Sequence, residues 1–228
     1  MSSISIVGLG TMARAIAARA LAAGGSVQLI GRDAAKAAAL AAELGGGATA
    51  GAMGEAFAGS VVILAVPYDS AVRIVSQYGN ALVGKVLIDI TNPFDRIAFT
   101  DLVTPRDSSA AQEIAKAAPA GAHVVKAFNT LFAGVLAVGQ VGGRPVDVFI
   151  AGDDADAKKS ASSFIESLGL RPLDTGDLKN AHWLEGMGLL MLGQAAKAGN
   201  YSLSIKIESA RAGGGGAQVE RSTIASSD

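Results

Sequence analysis

From Ile4 to Asp89 the chain alternates short β-branched runs with alanine-rich stretches of helical period, and few folds accept that rhythm. A strand, a helix and a second parallel strand make a crossover unit, and repeating it builds a parallel sheet covered by helices. SISIV reads as the first strand and Thr11 to Ala23 as the first helix. SVQLI follows Gly24-Gly25 as the second strand, and Asp33 can cap a helix that runs through Glu43 and stops at the glycines from Gly45. SVVILAV and KVLIDI read as buried strands, ended by Pro67 and by TNPF, so two proline-bearing loops share one rim. Asp69 is placed to cap the helix after Pro67.

Between Asn92 and Ser108 runs an irregular segment of about fifteen residues, a length that usually marks a functional loop. Ser109 and Gln112 then form a capping box. AHVVKAFNT and VDVFIAG continue the strands, DDADAKKSASSFIESLG reads as an amphipathic helix, and LRPLD as a short strand. Lys179 to Lys197 reads as one long, mostly apolar helix. The expected fold is α/β, a Rossmann-type doubly wound parallel sheet over residues 1–143 with a small C-terminal domain over 144–207. Residues 208–228, rich in glycine, serine and small polar side chains, cannot bury a face and read as a flexible tail.

Composition narrows the chemistry. Nineteen lysines and arginines against twenty aspartates and glutamates leave no basic face for a phosphate backbone, which excludes nucleic acid as a partner. The chain has no cysteine, hence no thiol nucleophile or thiolate ligand, and this suits a reducing cytoplasm. No apolar run approaches the roughly 18 residues of a membrane span. Any redox chemistry must come from a bound cofactor.

VGLGTMA supplies the place for one. Gly8 lets the chain turn tightly after the first strand, Gly10 lets backbone approach a pyrophosphate, and Ala13 takes the third, helix-packing position. The helix that follows aims free N–H groups and a positive dipole end at phosphate, so Thr11 and Met12 contribute through backbone. About 20 residues on, where a carboxylate would hold a ribose 2′-hydroxyl, the chain has Gly31-Arg32, with Lys36 four residues later. Losing the carboxylate and gaining a forked donor favours NADP(H) over NAD(H). The competing reading makes Arg32 and Lys36 a solvated helix edge beside Asp33.

AVPYDSA at 65–71, DITNPF at 89–94, VVKAFNT at 124–130, AGDDADAKK and LRPLDTGDLKNAHWLE complete a set that resembles the F420-dependent NADP reductase family, in the same order from about Ile4 to Ile207. The resemblance implies hydride exchange between NADP(H) and the deazaflavin coenzyme F420, the latter stacking on the nicotinamide under the C-terminal domain. It further implies that Gly8, Gly10, Thr11 and Met12 hold the pyrophosphate and Arg32 and Lys36 the 2′-phosphate. Val66, Pro67 and Tyr68 would line the ribose side, and Asn92, Pro93, Ala127, Asn129 and Thr130 the nicotinamide end. Hydride transfer needs two rings held face to face and no nucleophile, so no catalytic residue and no metal ligand is expected.

A basic groove beyond the pocket would suit the anionic tail of F420, and Lys126, Arg144 and Lys179 are its candidates. Alternatives are an NADPH-dependent flavin or ferric reductase and a non-catalytic NADP(H) sensor. His123, His182 and the Asp153, Asp154, Asp156 cluster read as packing and capping residues rather than as acid, base or ligand. Met187 and Met191, four apart, read as core or as an apolar wall for a tricyclic ring. The long apolar C-terminal helix exceeds what a small domain can hide, which points to a homodimer.

Overall fold

The computed structural model describes residues 3–95, 97 and 99–209. Ten strands and seven α-helices follow one another along it. The first half holds β1 (Ser3–Val7), α1 (Thr11–Ala22), β2 (Ser26–Gly31), α2 (Ala34–Leu44), β3 (Ala48–Ala52), β4 (Val61–Leu64), α3 (Tyr68–Tyr78) and β5 (Val86–Asp89). The second holds α4 (Ala110–Ala117), β6 (His123–Lys126), α5 (Ala133–Val138), β7 (Gln140–Val141), β8 (Arg144–Pro145), β9 (Asp147–Gly152), α6 (Ala155–Ser167), β10 (Arg171–Asp174) and α7 (Ala181–Ala198).

Eight strands form one sheet in the order β10-β9-β6-β5-β4-β1-β2-β3. Every neighbour is parallel except β6 with β9. Alternate side chains of each strand go to opposite faces, and the core follows that rule. Ile4, Ile6, Ile63, Ile88 and Val125 pack beneath α1, α2, α5 and α6. Val7, Val62, Leu64, Leu87 and Val124 pack beneath α3 and α4. The result is the doubly wound fold read from the sequence.

The helix signals also act as read. Asp33 caps α2 by accepting from the Lys36 N–H, Asp154 caps α6 through the Ala157 N–H, and Ser109 caps α4 through the Gln112 N–H. Asp69 does not cap α3. Pro67 holds the cap position without a side-chain bond, and Asp69 lies inside the first turn, where a carboxylate suits the dipole. β3 escaped the sequence reading because ATAGA has no large apolar residue; it lies at the sheet's open edge.

The chain beyond residue 143 contributes β9 and β10 to the same sheet. α7 and the segment after it cover this end: Leu184, Met187 and Ile205 pack on Phe149 and Ala151 of β9 and Leu173 of β10. The buried Asp147 carboxylate ties that segment down, accepting from both Nε and Nη2 of Arg171 and from the Ile207 N–H at 2.9 Å. Of the expected tail, only Glu208 and Ser209 are described; the rest lies outside the described residues.

Candidate functional site

Four parallel strands end level with one another. Val7 pairs with Leu64, Leu64 with Asp89, and Asp89 with Lys126. The connections that follow, 8–10, 65–67, 90–93 and 127–130, therefore share one rim. From β1 the chain winds outward through β2 and β3, then returns to β4 on β1's other side. A crevice opens at such a reversal, outside the carboxyl ends of the strands.

The cleft there has a volume of about 780 Å³. One wall is the turn Gly8-Leu9-Gly10, another Gly31, Arg32, Asp33 and Lys36, and a third Ala65, Val66 and Pro67 with the cleft-facing side of α3. Gly8 has φ +123°, and a Cβ there would lie 2.1 Å from the Ala65 carbonyl oxygen, so backbone passes backbone with no room for a side chain. Gly10 is extended, and its missing Cβ faces open space. It caps α1 with no side-chain bond, and the first turn of α1 contains no acidic residue. The free N–H groups and the dipole's positive end thus face the cleft side without a competing anion, which suits phosphate.

Of the residues singled out by sequence, Gly8, Gly10, Arg32, Lys36, Val66 and Pro67 line this cleft. Thr11, Met12 and Tyr68 begin α1 and α3 beside it without lining it. Burial, helped by the nearby Glu113 and Asp69 carboxylates, holds the Tyr68 phenol above its ordinary 10.0. Arg73 and Gln77, on α3, also line the cleft and were missed. Their spacing from Pro67 was the available signal, since one face of a helix that starts at the rim must look into the cleft.

Asn92, Pro93, Ala127, Asn129 and Thr130 lie farther along the rim. Asn92 and Asn129 bond reciprocally, Nδ2 of Asn92 to the Asn129 carbonyl at 2.7 Å and Nδ2 of Asn129 to Oδ1 of Asn92 at 3.0 Å. Asn129 Nδ2 also donates to the Leu184 carbonyl of α7 at 2.8 Å. Gly188 lets α7 approach, because a Cβ there would come 2.9 Å from Asn92 Oδ1. Between these asparagines Phe128 sits at φ +60°, fully buried, a backbone state that packing must enforce. Oγ1 of Thr91 and Oδ1 of Asn129 are buried with no hydrogen-bond donor or acceptor opposite them within the protein.

Beneath the rim lies a charge cluster that sequence reading placed wrongly. Lys126, a candidate groove cation, has no exposed surface: its Nζ donates to Asp89 Oδ2 and Glu185 Oε1, both at 2.8 Å, and to the Thr91 carbonyl at 2.6 Å. Burial pulls its ammonium pKa down, but the Asp89 and Glu185 carboxylates outweigh this and hold it above 10.5. Glu185 is raised above its ordinary 4.5, by burial first, since one ammonium shared between two carboxylates offsets only part of that cost. Glu185 also accepts from the Ala110 and Ala111 N–H groups, so α7 caps α4. Lys126 reaches inward because AFNT after it turns the chain over the rim, while β6 alternation buries its side. The other two candidates are exposed and paired, Arg144 with Glu208 and Lys179 with Asp177.

The histidines have ordinary partners: Nδ1 of His182 lies 3.0 Å from the Ser108 carbonyl and Nδ1 of His123 lies 3.5 Å from Asp154.

Residues 3–93 match the family described as NADP oxidoreductase, coenzyme F420-dependent. Over that span the chain is similar to this family. The F420-dependent NADP reductase of Methanothermobacter marburgensis is 34% identical over 140 residues, 58% of this chain and 61% of that one. Metalloreductase STEAP3 of Rattus norvegicus is 31% identical over 189 residues, 83% of this chain and 37% of that one. The chain thus spans less than two thirds of the length of either relative. A solved structure from Arthrobacter sp. FB24, provisionally assigned as an F420-dependent NADP-reductase, gives a TM-score of 0.81 at 25% identity, covering 92% of this chain and 100% of that one. The imine reductase BcSIRED of Bacillus cereus, at 19% identity and TM-score 0.61, with 87% of this chain and 64% of that one covered, shares the fold. Among the described residues no helix is long and apolar enough to cross a membrane.

Proposed function

We propose that this protein transfers hydride between NADP(H) and a planar ring acceptor, coenzyme F420 being the acceptor the family resemblance implies. One observation carries the reading: the cleft joins the Gly8-Gly10 turn at the open α1 N-terminus to Arg32 and Lys36, with Gly31 as the last residue of β2 and the Asp33 carboxylate occupied in capping α2. Gly8 and Gly10 admit the pyrophosphate, the first N–H groups of α1 hold it, and Arg32 and Lys36 meet the 2′-phosphate. Bound there, the dinucleotide supplies the hydride chemistry at its nicotinamide. The rim residues Asn92, Pro93, Ala127, Asn129 and Thr130 would position that ring and exclude water from it. The unpartnered Thr91 and Asn129 oxygens supply polar groups that the nicotinamide carboxamide could satisfy after a small rim adjustment.

A specific observation favours a second reading for the acceptor. Lys126 is buried and neutralised, and Arg144 and Lys179 carry partners, so none of the expected cations awaits an anionic deazaflavin tail. A free flavin or ferric ion is the alternative acceptor, and the similarity to a protein named as a metalloreductase supports a reading other than F420. NADPH oxidation followed by absorbance, with F420 and FMN supplied separately at equal concentration, separates them. Turnover with F420 alone supports the first reading and with FMN alone the second; tight NADPH binding without turnover would make the protein a sensor.

The outer face of α7, with Trp183 70% and Leu190 73% exposed, supports the proposed pairing of two chains. Light scattering tests it, and a monomer at micromolar concentration refutes it.

A further inference from the structure

We infer that Arg73 is a second reader of the ribose 2′-phosphate, closing on it from the wall opposite Arg32. The inference rests on the dinucleotide reading above and adds a residue to it. Ser70, Arg73, Ile74 and Gln77 recur at helical spacing along α3 and all line the cleft, so one stripe of that helix faces the ligand space. The same cleft is lined by Arg32 in the turn before α2, Lys36 in its first turn, Ile30 and Met53, and α2 and α3 pack on opposite faces of the sheet.

The two arginine charges lining the cleft have no carboxylate partner among the described residues. Arg73 is exposed, and among the described residues its one polar side-chain contact is a 3.4 Å bond to Ser70 Oγ. Among the described residues neither Arg32 nor Arg73 has an ion pair, in a chain whose opposite charges nearly balance. Asp33, the one carboxylate lining the cleft, accepts from the Lys36 N–H and lies 3.7 Å from the Lys36 ammonium, so it answers Lys36 rather than either arginine. Two guanidiniums lining one cleft, one from the β2–α2 turn and one from α3, match a dianionic phosphate monoester, which can accept a fork from each side. Neutral adenosine offers no such demand; an adenine-stacking role for Arg73 would leave the 2′-phosphate indifferent to it.

The test compares dissociation constants of 2′,5′-ADP and 5′-AMP, measured by calorimetry, for wild type, Arg32→Ala and Arg73→Ala. Both side chains are exposed, so folding is unaffected. Arg73→Ala should weaken 2′,5′-ADP about tenfold or more and 5′-AMP less than about twofold, the size of a lost charge-assisted bond. Arg73→Lys should recover part of the loss, keeping the charge without the fork. Equal losses for both nucleotides, or none, overturn the inference. If Arg32→Ala alone discriminates, Arg73 is excluded and the NADP(H) reading stands. If the wild type itself does not prefer 2′,5′-ADP, the cofactor reading falls and takes the Arg73 inference with it.

Discussion

Replacing Lys126 by Met tests whether the buried charge cluster holds the rim together. The side chains are of similar length, so little cavity forms, and the change isolates the lost ammonium. Asp89 Oδ2, Glu185 Oε1 and the Thr91 carbonyl each lose a hydrogen bond of 2.8 Å or less, and both carboxylates are wholly buried. Removing one partner of a buried pair costs about 3–5 kcal/mol. At about 2–4 °C per kcal/mol for a chain of this size, Tm should fall by roughly 6–20 °C at neutral pH. The orphaned carboxylates can then be relieved by protons, so the gap to wild type should narrow on acidification toward about pH 5. The triple variant Lys126→Met, Asp89→Asn, Glu185→Gln should regain much of the loss. Scanning calorimetry at both pH values reads all three; a Tm drop below about 2 °C, or a gap that does not change with pH, refutes the reasoning. In the wild type the folded Lys126 pKa is raised, so its contribution is complete below the unfolded value of 10.5 and is lost as pH rises through the folded value.

Other substitutions test the turn, the caps and the C-terminal segment. Gly8→Ala sets a Cβ against the Ala65 carbonyl at positive φ and should cost about 2 kcal/mol or more in urea unfolding, with dinucleotide binding lost. Gly31→Ala is the contrast: its Cβ meets the movable end of Leu9, 2.4 Å from Cδ1, so a loss of equal size would refute the backbone argument. Ser109→Ala should cost about 1 kcal/mol by removing the bond to the Gln112 N–H, checked by the same titration. Asp147 is held below its ordinary 3.8: burial alone would raise it, but Arg171 and the Ile207 N–H prevail. Its stabilisation is therefore present above the unfolded value and lost as pH falls through the folded one; Asp147→Asn should flatten that acid limb in Tm measured from about pH 5 downward.

What the sequence disclosed and what it withheld divide along the range of the contacts. The glycine turn, the Asp33 and Asp154 caps and the placement of Arg32 and Lys36 are fixed by residues within one crossover unit, so spacing alone reveals them. Asp147, Arg171 and Ile207 meet from distant parts of the chain. The same is true of Lys126 with Glu185, 59 positions apart. In VVKAFNT a lysine looks like a surface cation; only β6 alternation together with α7 lying across the rim shows that it points inward. The reversed direction of β9 against β6 was equally hidden, because alternation and apolar content are the same for parallel and antiparallel strands. Arg73 was legible in principle from the rim position of Pro67 and the helical repeat.

The cleft and the rim beyond it are thus built by different means, and their substitutions should act on different kinetic constants. On the proposed reading the phosphate end is met by exposed side chains, Arg32 in the turn before α2, Lys36 in its first turn and, in the inference above, Arg73 midway along α3. Losing one weakens ground state and transition state alike, which raises KM and leaves kcat nearly unchanged. The other half is a rim in which Asn92, Asn129, Thr91 and Lys126 are bonded to one another or to α7. In the proposed reaction that rim sets the distance between two rings, and small misplacements in such geometry are costly to the rate itself. Asn129→Ala, which removes the side-chain donations to Asn92 Oδ1 and the Leu184 carbonyl without touching a charge, should therefore lower kcat more than it raises KM. An effect confined to KM would mean that the rim only binds the dinucleotide, and that the orientation of the rings is set elsewhere.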